Sequence, residues 1–219
     1  MAKFDFFRGS KFFEMRFPGF ILRYKYLLEV VGILFVILTG VLFFGGFIPK
    51  IIFVSETVHL NVDKEYLNAE VKFRYKNRFP IPLTQGFSIP TPRDEGLQEP
   101  QYIMVGELRE SSESPGNLLP VSYLGGLPRF QARFGPREEK TIQVHYSQKH
   151  DRKKVKYLLT TTRKWRRPLE SGRYVLTLDS VEMIHSNYPL ERLDDASFAF
   201  ERQNFMPSED WIIMIQVPQ

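Results

Sequence analysis

The chain has 4 histidines, at positions 59, 145, 150 and 185, and they are its readiest candidates for proton transfer or metal ligation. His145 falls between Val144 and Tyr146 in an alternating run, so it is expected to face solvent; His150 and Asp151 follow in a turn. A zinc site can be drawn from His145, His150 and Asp151. Zinc, however, needs three or four ligands converging on one point, each oriented by a second partner. The carboxylates of Asp179, Glu182, Asp194 and Asp195 are of the type that forms an acid–base pair, but nothing in their spacing joins any two. No G-x-S-x-G, H-E-x-x-H, Walker A or G-x-G-x-x-G pattern occurs. The absence of cysteine excludes disulfides, thiolate metal sites and a thiol nucleophile. The residues therefore predict a non-enzymatic protein with no cofactor and no metal.

The elements that would carry these side chains are strands. In YLNAEVKFRYKN, Leu67, Ala69, Val71, Phe73 and Tyr75 face one way, while Glu70, Lys72, Arg74 and Lys76 face the other. The pattern recurs at 142–146, 174–178, 196–200 and 211–217, and further strands are expected at 52–62, 83–89, 101–109, 129–134 and 155–162. Turn chemistry separates them: RFPIP, TPRDEG, SSESPGN, LGGLP, FGPREE, RRPLESG and FMPSED. The fold class expected is all-β, a sandwich of about ten strands over 50–219. The polar stretches 90–100 and 111–120 are read as loops within it.

Ahead of the strands lies VVGILFVILTGVLFFGGFIP, without a charge from Val30 to Pro49. At about 1.5 Å per residue such a helix would match the roughly 30 Å hydrocarbon core of a bilayer. The reading is a single N-terminal transmembrane helix over 27–49, an uncleaved signal-anchor, with 1–26 as a basic, aromatic leader. Lys3, Arg8, Lys11, Arg16, Arg23 and Lys25 precede the run and only Lys50 and Lys64 follow it closely. The N-terminus is then expected in the cytoplasm and the sandwich on the periplasmic or extracellular side of the inner membrane. Phe6, Phe13, Phe17 and Phe20 share one helical stripe and would sit at headgroup depth. No N-x-S/T sequon occurs, which agrees with a prokaryotic exterior.

Net charge is +5, of which +3 comes from the first 49 residues, so no nucleic-acid partner is expected. Charge is segregated instead. Lys153, Lys154, Lys156, Arg163, Lys164, Arg166 and Arg167, with Trp165 among them, fall in a basic stretch, and 179–210 is acidic. Two readings stay open: the basic stretch docks on membrane lipid or an acidic protein face, or basic and acidic strands pair across a sheet.

The run VHLNVDKEYLNAEVKFRYKNRFPIPLTQGFSIPTP resembles the opening of vault/inter-α-trypsin-type β-sandwich domains, through Ala69, Val71, Tyr75, Asn77, Pro80, Ile89 and Pro90. YLLTTTRKWRRPL and FMPSEDWIIMI are similar to segments of prokaryotic membrane-anchored β-sandwich proteins. The resemblance implies a sandwich. The metal-adhesion motif D-x-S-x-S of better-known members is absent. The function expected is a single-pass accessory subunit whose sandwich scaffolds or docks other membrane-protein subunits. The rival is a membrane-tethered enzyme or ligand-binding domain acting on envelope glycan or lipid.

Overall fold

The computed structural model describes residues 19–44, 49–93, 96–108 and 115–218. The chain divides into two compact units, Met1–Ile48 and Pro49–Gln219. The first holds α1 (Gly19–Phe44). The second holds β1 (Ile51–Val62), β2 (Tyr66–Asn77), β3 (Leu83–Ser88), β4 (Tyr102–Leu108), β5 (Pro115–Leu118), β6 (Ser122–Leu124) and β7 (Leu127–Phe134). These are followed by β8 (Glu139–Lys149), β9 (Lys154–Tyr157), a 3₁₀ turn (Thr160–Trp165), β10 (Leu169–Leu178), β11 (Glu182–Ser186), β12 (Glu191–Arg192), β13 (Ser197–Phe205) and β14 (Trp211–Gln216).

The transmembrane helix read over 27–49 is corrected here: among the described residues, no helix is long and apolar enough to cross a membrane. The reason is length. The described α1 spans Gly19–Phe44 and carries Arg23, Lys25 and Glu29 in its first half. Its uncharged part, Val30–Phe44, rises only about 22 Å, against roughly 30 Å of hydrocarbon. The signal-anchor and single-pass readings fall with it, and the sidedness argument loses its premise. Phe6, Phe13 and Phe17 lie outside the described residues, and Phe20 falls in the first turn of α1.

The second unit is mostly sheet. Eight strands run in the order β12-β13-β10-β1-β2-β8-β4-β5, with two three-stranded sheets, β3-β7-β6 and β11-β14-β9. Neighbours in the large sheet are antiparallel except β1 and β10, which are parallel. Both small sheets cover the same face of it. Phe87 of β3 lies 4.6 Å from Tyr75, and Trp211 of β14 lies 5.1 Å from Phe200 and 6.1 Å from Tyr174. One core results, in which Leu60, Leu67, Ile142, Leu176, Trp211 and Ile213 are fully buried. Each contributes roughly 2–3 kcal/mol by removal of apolar surface from water.

Alternation explains most of this. Leu67, Ala69, Val71 and Tyr75 are buried, and Phe73 is partly so. In β1 the register slips between Phe53 and Ser55. The bulge lets Phe53 and then Glu56, Val58, Leu60 and Val62 all point inward. Strand β9 is shorter than the expected 155–162. The Asp210 carboxylate accepts both the Thr160 N–H (3.0 Å) and its hydroxyl (2.7 Å), which fixes the chain in the 3₁₀ turn instead. Strands β5, β6, β11 and β12 are too short to show a period.

Asn77, fully buried at the end of β2, clamps two turns. Its Nδ2 donates to Ile81 O (2.8 Å) and Gly135 O (2.7 Å), and its Oδ1 accepts Phe79 N–H (2.9 Å). Asn77→Ala removes the side-chain partner of these part-buried groups and is expected to cost about 2 kcal/mol, read as a lower midpoint in urea unfolding. An unchanged midpoint would show that water replaces the amide.

Candidate functional site

Among the described residues, three places bring chemistry-bearing groups together. The first is internal. Glu56 of β1 is 4% exposed. The Tyr157 hydroxyl donates to its Oε1 at 2.5 Å and the Tyr174 hydroxyl to its Oε2 at 3.1 Å. Burial pushes the carboxyl up to about 7, against the lowering effect of those two hydrogen bonds. Tyr75, Tyr146, Tyr157 and Tyr174 are all raised above the ordinary phenol range, by burial first and then by the Glu56 charge. Tyr174 reaches Glu56 by lying over Gly172, the residue that pairs with Glu56 across β1 and β10. A Cβ there would stand 2.6 Å from its hydroxyl. This is a proton-binding group sealed in the core.

The second lies on the outer face of the large sheet, where His59, Glu70 and His145 form one cross-strand row. Glu70 is held by Lys72 at 3.1 Å and by Gln143 Nε2 at 2.7 Å. Burial holds His59 below the ordinary imidazole range, partly countered by Glu70. Among the described residues no group of three or more acidic or histidine side chains is arranged to hold a metal.

The sequence-proposed set is not brought together. His150 fixes a turn: its Nε2–H donates to Asp63 O at 3.0 Å and its Nδ1 accepts Arg152 N–H at 3.0 Å. Asp151 accepts the N–H groups of Lys153 and Lys154 (3.0 and 3.1 Å). Asp194 likewise closes a turn on Ala196 and Ser197. The basic stretch also divides. Lys156 pairs with Asp210 at 3.3 Å and Arg167 with Glu170 at 3.6 Å. Lys153, Arg163, Lys164 and Arg166 are exposed, and Lys154 is half-buried. Trp165 is no surface anchor: its ring packs 5.5 Å from Tyr75 and 5.8 Å from Phe53. Cross-strand pairing accounts for Lys156–Asp210 and, on β10 and β13, Arg173–Glu201 at 3.2 Å.

The third place is a groove of ≈ 720 Å³ on the outer face of β3-β7-β6. Gly86 and Ser88 of β3, Arg129 and Gln131 of β7, and Ser122 and Leu124 of β6 line it. Thr84, Gly86 and Ser88 stand in register with Arg133, Gln131 and Arg129, so small side chains on β3 make a trough beside long ones. Tyr123 and Leu124 are more than half exposed at its rim. Sequence reading missed this set and Glu56. Both left a signal: Glu56 is in phase with Val58, Leu60 and Val62, and Arg129, Gln131 and Arg133 alternate with Phe130, Ala132 and Phe134.

No known family and no curated protein matches the sequence. The likeness is of fold alone. A Legionella pneumophila protein to which nutrient binding is provisionally ascribed aligns with TM-score 0.57 at 12% identity, over 77% of this chain and 67% of its own. An M1 zinc metallopeptidase of Deinococcus radiodurans aligns with TM-score 0.42 at 9% identity, over 76% of this chain and 43% of the enzyme. Neither is a vault or inter-α-trypsin domain, so the resemblance around β2 gains no support from them.

Proposed function

We propose that the Pro49–Gln219 unit is a non-catalytic docking module that holds a partner protein on its β3-β7-β6 face. The groove supports this reading. It is open and lined by Arg129, its three strands carry Arg129 and Arg133 with no opposite charge, and exposed Tyr123 and Leu124 lie beside it. Glu56, by contrast, is closed to any substrate. At Gly86 nothing lies within 4 Å of where a Cβ would stand, so Gly86→Trp fills the trough without touching the core. In mild purification of the full chain from its source cells, a defined companion protein is expected with the wild type and lost from this variant, with circular dichroism unchanged. The same companions at the same yield in both would sink the reading.

Small-molecule binding in the same groove is a second reading. Its volume falls in the range of about 300–1,000 Å³ usual for ligand pockets, and nutrient binding is ascribed to the Legionella neighbour. A companion-free chain whose melting point rises with one compound of a metabolite library would favour it.

A further inference from the structure

Among the described residues, β3 is the outermost strand of its sheet and is paired on one side only, with β7. Ile89 N–H donates to Pro128 O at 2.9 Å. With Ser88 opposite Arg129, this bond directs the backbone groups of Gln85 and Phe87 towards β7 and those of Thr84, Gly86 and Ser88 towards the open edge. Gly86 O accepts the Gln85 side chain at 2.8 Å. The N–H groups of Thr84, Gly86 and Ser88 have no partner among the described residues, and all three residues are exposed. Pro80 and Pro82 before the strand, and Pro90 and Pro92 after it, have no N–H to offer a ladder. They confine pairing to one short stretch and protect the edge from indiscriminate association.

The charge beside this edge is one-signed. LTQGFS, SYL and LPRFQARF contain Arg129 and Arg133 and no Asp or Glu, and neither arginine makes an ion pair among the described residues. Cations of the large sheet are paired instead, as in Lys76–Glu139 at 2.6 Å and Lys140–Glu107 at 3.0 Å. Small side chains at Thr84 and Ser88 leave both guanidinium groups a path across β3 to its edge.

The geometry points to strand addition: an extended acidic segment of a partner protein pairs with the β3 edge, and Arg129 and Arg133 take two of its carboxylates. This rests on the docking function proposed above and names the partner's chemistry. Main-chain hydrogen bonds supply affinity in such recognition and alternate side chains supply selectivity. Four positions along a strand span about 13 Å, so the carboxylates belong four residues apart in the segment. Arginine suits the task because its planar fork can take a carboxylate with two bonds.

The probe is a fluorescein-labelled nine-residue peptide alternating Thr and Val, with Glu at its third and seventh positions, set against its Gln isostere. Anisotropy with the full chain in dilute salt should show the Glu peptide binding about tenfold tighter, the combined effect of its two carboxylates. The Arg129→Gln/Arg133→Gln variant should remove that preference while its circular dichroism stays native. In the wild type, hydrogen exchange at Thr84, Gly86 and Ser88 should slow on binding. Equal affinity for the two peptides, an unaltered preference in the variant, or unprotected amides at these positions overturns the proposal. So does a dimer of this chain paired through β3 that excludes the peptide. If the peptide fails while Gly86→Trp still sheds a companion, docking stands and its acidic-strand form falls; if both fail, docking falls too.

Discussion

Glu56→Gln is expected to abolish a loss of stability of about 3 kcal/mol that the native protein suffers between acidic and mildly alkaline pH. The folded carboxyl titrates at about 7 instead of 4.5 because burial disfavours its charge. Between those values the native state holds a proton that the unfolded chain has released. Stability from this group is therefore complete below about pH 4.5 and is lost as pH rises through about 7. A shift of this size corresponds to about 3 kcal/mol, with little solvent discount at 4% exposure. The groups facing it are the hydroxyls of Tyr75, Tyr146, Tyr157 and Tyr174, with no cation among the causes of its shift. His59 and His150, held low mainly by burial, give the opposite slope as pH rises through about 6.5, and the variant keeps both. Urea unfolding of the two proteins at pH 5 and pH 8 isolates the carboxyl. Parallel curves would show that water reaches it.

Gly172→Ala is expected to cost about 3 kcal/mol, far more than the same change on a free strand. An added Cβ would stand 2.6 Å from the Tyr174 hydroxyl oxygen and 2.7 and 2.9 Å from two carbons of its ring. That ring is fully buried, with its centroid 4.5 Å from that of Phe200. It cannot swing away as a surface side chain would. Overpacking costs about 1–3 kcal/mol, and moving the ring also breaks its hydrogen bond to Glu56, leaving a buried carboxyl short of one donor. In a Tyr174→Ala background the obstacle is gone, so the same substitution should cost under about 1 kcal/mol. Equal costs in the two backgrounds would put the strain in the backbone instead.

How much of this was legible follows from where each signal resides. Strand β2 could be read outright, because its inward and outward residues alternate through Tyr75. Strand β1 could not be phased throughout, since a bulge is a property of pairing and leaves no fixed mark in IIFVSETV. Trp165 misled because RKWRR is a charged neighbourhood in sequence, while the 3₁₀ turn rotates that one ring inward. The anchor reading failed on extent: apolar composition continued to Pro49, but the described helix spans Gly19–Phe44 with Arg23, Lys25 and Glu29 in its first half. Arg129 and Arg133 were visible as the polar half of an alternating strand. That they stand beside Thr84 and Ser88, and away from any carboxylate on their sheet, depended on strand order.

The parallel junction of β1 with β10 has a kinetic corollary. β1 occupies the middle of the large sheet; one flank is closed by the hairpin to β2, while the other waits until Leu169 has been made. Late closure over so long an intervening chain raises contact order and slows folding. During synthesis the central ribbon is left half-zipped, with the Ser55–Val62 margin bare until β10 arrives.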